Sequence, residues 1–166
     1  MIRRVAFRKA VVGGALGALA WEAVVRLLIF AGLPMFDLVK VLGTMLLTDD
    51  APAWQWWPMG MAMHALVGAV WAVFYAYFFW SLMDIRPILQ GLLFAVLPTL
   101  LAGLIMIPQM DLMLTDPHDP FRAFAIGIGF LGPVSVILGH LIYGAVLGSI
   151  YVKPVGYPVG KRIVYG

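Results

Sequence analysis

The chain has 166 residues, of which 63% are hydrophobic and only 11% charged, and its mean hydropathy is +0.99. A soluble domain carries roughly 25% charged residues, so this composition excludes a soluble enzyme, a disordered linker and a nucleic-acid binder, despite an isoelectric point near 9.4. With no cysteine, disulfides and thiolate metal sites are excluded as well.

Four segments reach the roughly 20 apolar residues needed to cross the hydrocarbon of a bilayer: about 10–33, 59–82, 88–108 and 124–152. The first follows Arg3, Arg4, Arg8 and Lys9, and Ala18-Leu19-Ala20 resembles a cleavage site. Its apolar run nevertheless continues to Leu33, longer than a signal core, so it reads as an uncleaved span. Between the first two spans, the stretch 35–47 is apolar with Asp37, Lys40 and Thr44 on one side. That pattern predicts a short interfacial helix on the outer surface. The second span opens on Trp54, Trp56 and Trp57 and closes near Tyr75, Tyr77 and Trp80, as aromatic belts at headgroup level do. The third carries Pro98 and Thr99 at its middle, and the fourth is divided by Pro133, where a kink is expected.

Charge sorts by side. With the N-terminus inside, Arg3, Arg4, Arg8, Lys9, Arg86, Lys153, Lys161 and Arg162 face only Asp84, leaving +7. The outer loops hold Asp37, Asp49, Asp50, Asp111, Asp116 and Asp119 against Lys40 and Arg122, leaving −4. The positive-inside rule then puts both termini in the cytoplasm.

The second and fourth spans share a pattern, H-x-x-x-G-A-V-x-x-x-x-Y, running from His64 to Tyr75 and from His140 to Tyr151. A matching loop precedes each: Leu47-Thr48-Asp49 and Leu114-Thr115-Asp116. Two hairpins repeated in this way are parallel repeats about an axis along the membrane normal. The expected fold is therefore an all-α, single-domain, integral membrane four-helix bundle built from two parallel two-helix hairpin repeats.

Ionisable groups at membrane depth are costly and mark candidate sites. Counted from Pro58, Pro133 and Pro34, His64, His140 and Arg26 fall in one layer of the outer half, with Glu22 a turn deeper on the face of Arg26. Two imidazoles at one depth would ligate haem b axially or hold a soft metal, with Gly68 and Gly144 leaving room for a flat macrocycle. Alternatively, the same glycines let helices approach while the histidines hydrogen-bond across the contact, and Gly13-x-x-x-Gly17 and Gly144-x-x-x-Gly148 are packing motifs of that kind. Glu22 and Arg26 read either as an intrahelical ion pair or as groups that move a proton and hold an anionic ligand. Met59-x-Met61-x-Met63-His64 superficially resembles a copper site, but residues two apart on a helix diverge. Asp49, Asp50, Asp116, Asp119 and His118 would bind a divalent cation, although Asp-Pro pairs usually form turns.

The glycines of the first span (Gly13, Gly14, Gly17), the segment Phe36-Asp37-Leu-Val-Lys40-Val-Leu-Gly43, His64, and the closing His140-Leu-Ile-Tyr-Gly144-Ala-Val-Leu-Gly148-Ser-Ile-Tyr151 carry a resemblance. The chain resembles the uncharacterised YagU-like four-helix inner-membrane proteins of bacteria and archaea. That resemblance implies a small integral membrane protein and no established activity. The residues themselves lead to a non-enzymatic accessory or binding subunit, with an interhelical site of Arg26, Glu22, His64, His140, Gly68 and Gly144. Its expected partners are the bilayer and either another membrane protein or a second copy. A bis-histidine haem carrier and a small transporter or proton path are the alternatives.

Overall fold

The computed structural model describes residues 5–48, 50–83, 85–114 and 120–152. Among them are six α-helices: α1 (Phe7–Phe30), α2 (Leu38–Leu46), α3 (Ala53–Phe74), α4 (Pro87–Leu101), α5 (Ile107–Met110) and α6 (Leu131–Ile150). π-helical turns extend α3 through Tyr75–Phe79 and join α4 to α5 through Ala102–Met106. Four stretches are long and apolar enough to cross a membrane: Phe7–Phe30, Ala53–Phe79, Pro87–Met110 and Leu131–Ile150. The protein is thus polytopic and largely helical.

The expectation of a simple four-helix bundle of two hairpins is corrected by this count. One of the added helices falls within the stretch 35–47, expected as a short interfacial helix, where the Asp37 carboxylate accepts from the Lys40 N–H and starts α2. This helix buries Val39, Val41, Gly43 and Thr44 and packs along the start of α3. A Cβ at Gly43 would collide with the Trp56 carbonyl, and one at Gly60 with the Val39 carbonyl. The other addition arises where the π-turn after Pro98 separates α5 from α4.

Pro133 does not kink a long fourth span. It lies in the first turn of α6, where the missing N–H has no intrahelical acceptor to lose. The residues before it form a separate 3-10 turn, Ala123–Ile128. Pro58 likewise lies inside α3 rather than at its start. Depths counted from these prolines are therefore too shallow, and His64 and His140 sit near the middles of their spans.

In space the spans run in the order α3, α1, α6, α4, each packed on the next. Glycine makes these approaches possible. A Cβ on Gly68 would lie 2.6 Å from the Gly14 carbonyl oxygen, and one on Gly144 would lie 2.5 Å from that of Gly91. Backbones this close gain van der Waals contact, the main force between helices in lipid. Gly13 faces Leu147 and Ile150, Gly17 faces Tyr143, and Gly148 faces Pro87 and Ile88, so the small-residue motifs are used within the chain.

Although joined by a short connection, α3 and α4 do not pack along their lengths. At the connection end, Phe94 of α4 bridges the space with its ring near Trp71, Phe74 and Tyr75. The Gln90 amide donates there to the Trp80 carbonyl, tying the end of the π-turn to α4. Beyond these rings the gap between α3 and α4 stays open as far as α2.

Candidate functional site

A cavity of 260 Å³ fills that gap. Its floor is formed by Trp21 of α1 and by Val136, His140 and Tyr143 of α6. One wall is His64, Val67, Gly68 and Trp71 of α3, and the other runs from Pro98 through Met106. Phe36 and Leu42 close the α2 end. Val67, Ile105 and Met106 line the cavity and are also exposed on the outside of the bundle, so the cavity meets the surrounding lipid between α3 and α4.

Two glycines seat the floor. Trp21 lies over Gly139, where any Cβ would collide with the indole. Tyr143 crosses Gly17, where a Cβ would come within 2.8 Å of its ring. Its hydroxyl then donates to the Gly68 carbonyl of α3 at 2.7 Å, linking α6 to α3 past α1.

The structure brings both predicted histidines together around Trp21. The His64 ring meets the indole edge-on at 4.7 Å between centroids, and the His140 ring lies tilted against it at 4.5 Å. Both histidines are buried. Nδ1 of His140 donates to the Val136 carbonyl at 2.8 Å, one turn back on its own helix. In the neutral imidazole that assigns the bare lone pair to Nε2, on the other side of the ring. Nδ1 of His64 is buried without any hydrogen-bond partner among the described residues.

Gly68 and Gly144 lie one turn beyond the histidines, as predicted, but the space beside them is taken. Gly14 and Ala18 fill it at Gly68, and Gly91 and Ala95 at Gly144. With Trp21 against both imidazoles, this arrangement does not fit a bis-histidine haem. Nor do the described residues contain a group of three or more His, Cys, Asp or Glu that could hold a metal. Met59, Met61 and Met63 follow one another on regular helix α3 and do not line the cavity. Of the loop set, Asp49, Asp116, His118 and Asp119 lie outside the described residues.

Glu22 and Arg26 do not line the cavity. Arg26 donates to Glu22 Oε1 from Nε at 3.2 Å and from Nη2 at 2.8 Å. The same guanidinium grips Asp37 through Nη1 at 2.9 Å and Nη2 at 2.8 Å. This fork is the geometry in which arginine binds carboxylate best. Asp37, which the sequence presents as one loop acid among several, is thus the third member of the cluster and also the cap of α2. Its signal was its position just ahead of the amphipathic run. A further link, the Phe36 N–H donating to Ser135 Oγ at 3.1 Å, ties the same turn to α6.

No family model, curated protein or solved structure matches this chain. The resemblance to the YagU-like proteins gains no support from these comparisons, and function has to be argued from the site.

Proposed function

We propose that this protein is a non-enzymatic binding protein of the cytoplasmic membrane that holds a small lipid-soluble molecule in the cavity between α3 and α4. The observation carrying the proposal is the cavity itself: 260 Å³, apolar apart from its histidines, Tyr143 and the indole N–H groups of Trp21 and Trp71, and continuous with the lipid at Val67, Ile105 and Met106. Binding sites are typically concave and apolar, with a few polar groups that fix orientation. His64 and His140 supply those groups. Arg26 and Glu22 act one layer away by locking α1 to the turn before α2, and Gly68 and Gly144 act by letting the walls meet the floor. The charge asymmetry of the sequence supports the orientation, with both termini cytoplasmic. Association with another membrane protein or a second copy would have to use faces other than the glycine stripes, which are occupied within the chain.

The test is extraction of the full-length protein, purified in mild detergent, followed by mass spectrometry of the organic phase. A stoichiometric small molecule is expected from the wild type. Val67→Trp, which fills the mouth of the cavity from a half-exposed position, is expected to reduce it at least tenfold with the helical circular-dichroism spectrum intact. Equal recovery from both proteins would sink the proposal.

A further inference from the structure

The chemistry of the lining narrows what the cavity takes. Among the described residues, no lysine, arginine, aspartate or glutamate lines it. The nearest cation in the same half of α1, Arg26, is already divided between Glu22 and Asp37. A phosphate or carboxylate head would enter a low-dielectric site with no countercharge, at a cost of several kcal/mol. The head is therefore uncharged.

Two imidazoles define what that head offers. His140 is fixed by the Val136 carbonyl with Nε2 as a bare acceptor, and no described residue donates to it. A ligand satisfies it by donating a hydrogen bond. His64 makes no hydrogen bond to any described residue, and with its Nδ1 enclosed its Nε2 is the ring nitrogen left to meet a ligand. A hydroxyl donates and accepts through one oxygen, so it serves an acceptor on one side while taking an N–H from the other; a carbonyl or ether oxygen only accepts.

Size sets the remainder. An apolar cavity of about 150 Å³ takes up benzene, so 260 Å³ accommodates a substituted ring with its hydroxyl. Trp21, Trp71 and Tyr143 give that ring aromatic faces to stack on. The exposed wall residues Val67, Ile105 and Met106 leave a way out for a tail.

We infer that the cavity binds a neutral, hydroxyl-bearing ring with an apolar tail, of the alkylphenol or quinol class, its hydroxyl donating to His140 Nε2 and its tail leaving between α3 and α4. This rests on the binding reading above and names the ligand class for the same site.

The test uses the full chain in lipid nanodiscs and three radiolabelled probes: 4-decylphenol, decylbenzene and dodecanoate. Specific binding is what an excess of the same unlabelled probe displaces. Saturable binding of decylphenol is expected, about tenfold tighter than decylbenzene, the difference one good hydrogen bond makes. His140→Phe is expected to remove that difference by weakening decylphenol alone. The three probes on the wild type decide the matter even where that variant does not fold. If decylbenzene binds as tightly as decylphenol, or dodecanoate binds more tightly than either, the assigned head is wrong while the cavity still binds lipid-soluble molecules. If none of the three binds saturably, the ligand class and the binding reading fall together.

Discussion

Gly13 and Gly14 are neighbours on α1, yet the structure separates the consequences of adding one methyl group to each. At Gly14 the new Cβ would collide with the Gly68 carbonyl oxygen and lie 2.5 Å from the Ala72 Cβ, so the backbone of α3 has to retreat. Forcing a methyl into a packed contact costs about 1–3 kcal/mol. Because the atom met is backbone, the cost sits at the upper end of that range; replacing glycine by alanine inside a helix returns about 1 kcal/mol, so Gly14→Ala is expected to lose about 2 kcal/mol net. At Gly13 the nearest atoms are Leu147 Cδ1 and Ile150 Cγ2, both at 3.3 Å, with Ile150 Cβ at 3.4 Å; these are side-chain atoms that need to give only a few tenths of an ångström, not backbone. There the helix gain offsets the small displacement, and Gly13→Ala is expected to stay within about 0.5 kcal/mol of wild type. Unfolding by titration with sodium dodecyl sulfate in mild detergent, followed by tryptophan fluorescence, measures both. A Gly14→Ala protein as stable as the wild type would refute the reasoning that α1 and α3 meet backbone to backbone.

Removing the two ends of the Glu22–Arg26 pair should have unequal effects. Arg26→Gln leaves Glu22 and Asp37 without their shared cation and is expected to cost on the order of 3 kcal/mol. Glu22→Gln keeps the Arg26–Asp37 fork and should cost less than about 1 kcal/mol in the same titration. Equal losses would mean that Asp37 carries no weight in the cluster. Ser135→Ala strips the Phe36 N–H of its buried acceptor and should cost about 1–3 kcal/mol, with faster hydrogen exchange at Phe36 as the specific sign. Tyr143→Phe, which frees the Gly68 carbonyl from its second donor, is expected to lose about 1 kcal/mol. Unchanged unfolding there would show that the tyrosine only fills space.

The spans were legible because lipid imposes a length and an apolarity that any helix must meet, and α1 through α6 contain four stretches that do. The His64/Gly68 and His140/Gly144 spacing was legible for a similar reason, since positions four apart share a helix face. What escaped was whatever depends on two elements meeting. Asp37 reaches Arg26 across a turn, eleven positions along the chain, with no periodicity to announce it. Trp21 touches both histidines because Gly139 leaves it room. That glycine beside His140 was the available hint of a large side chain arriving from elsewhere. Pro133 was read as an interruption because a proline has the same composition signal at a helix start as at a kink, and only the neighbouring backbone decides. The separation of α3 from α4 had no sequence signal, as a short connection ordinarily joins helices that pack.

The two π-turns divide the molecule mechanically. They fall at Tyr75–Phe79 and Ala102–Met106, on the two spans that border the gap, whereas α1 and α6 run as unbroken α-helices. A π-turn holds one residue more than the α-helix around it and can pass that extra residue along, rotating everything beyond by about a quarter turn. The central pair therefore serves as a stiff keel, and of the outer spans α4 carries its π-turn beside the opening while that of α3 lies at the connection end. On the α4 side the mouth residues Ile105 and Met106 lie in the π-turn itself, which begins about three turns from the Gly91–Gly144 crossing, so a shift there widens the mouth with that crossing left in place.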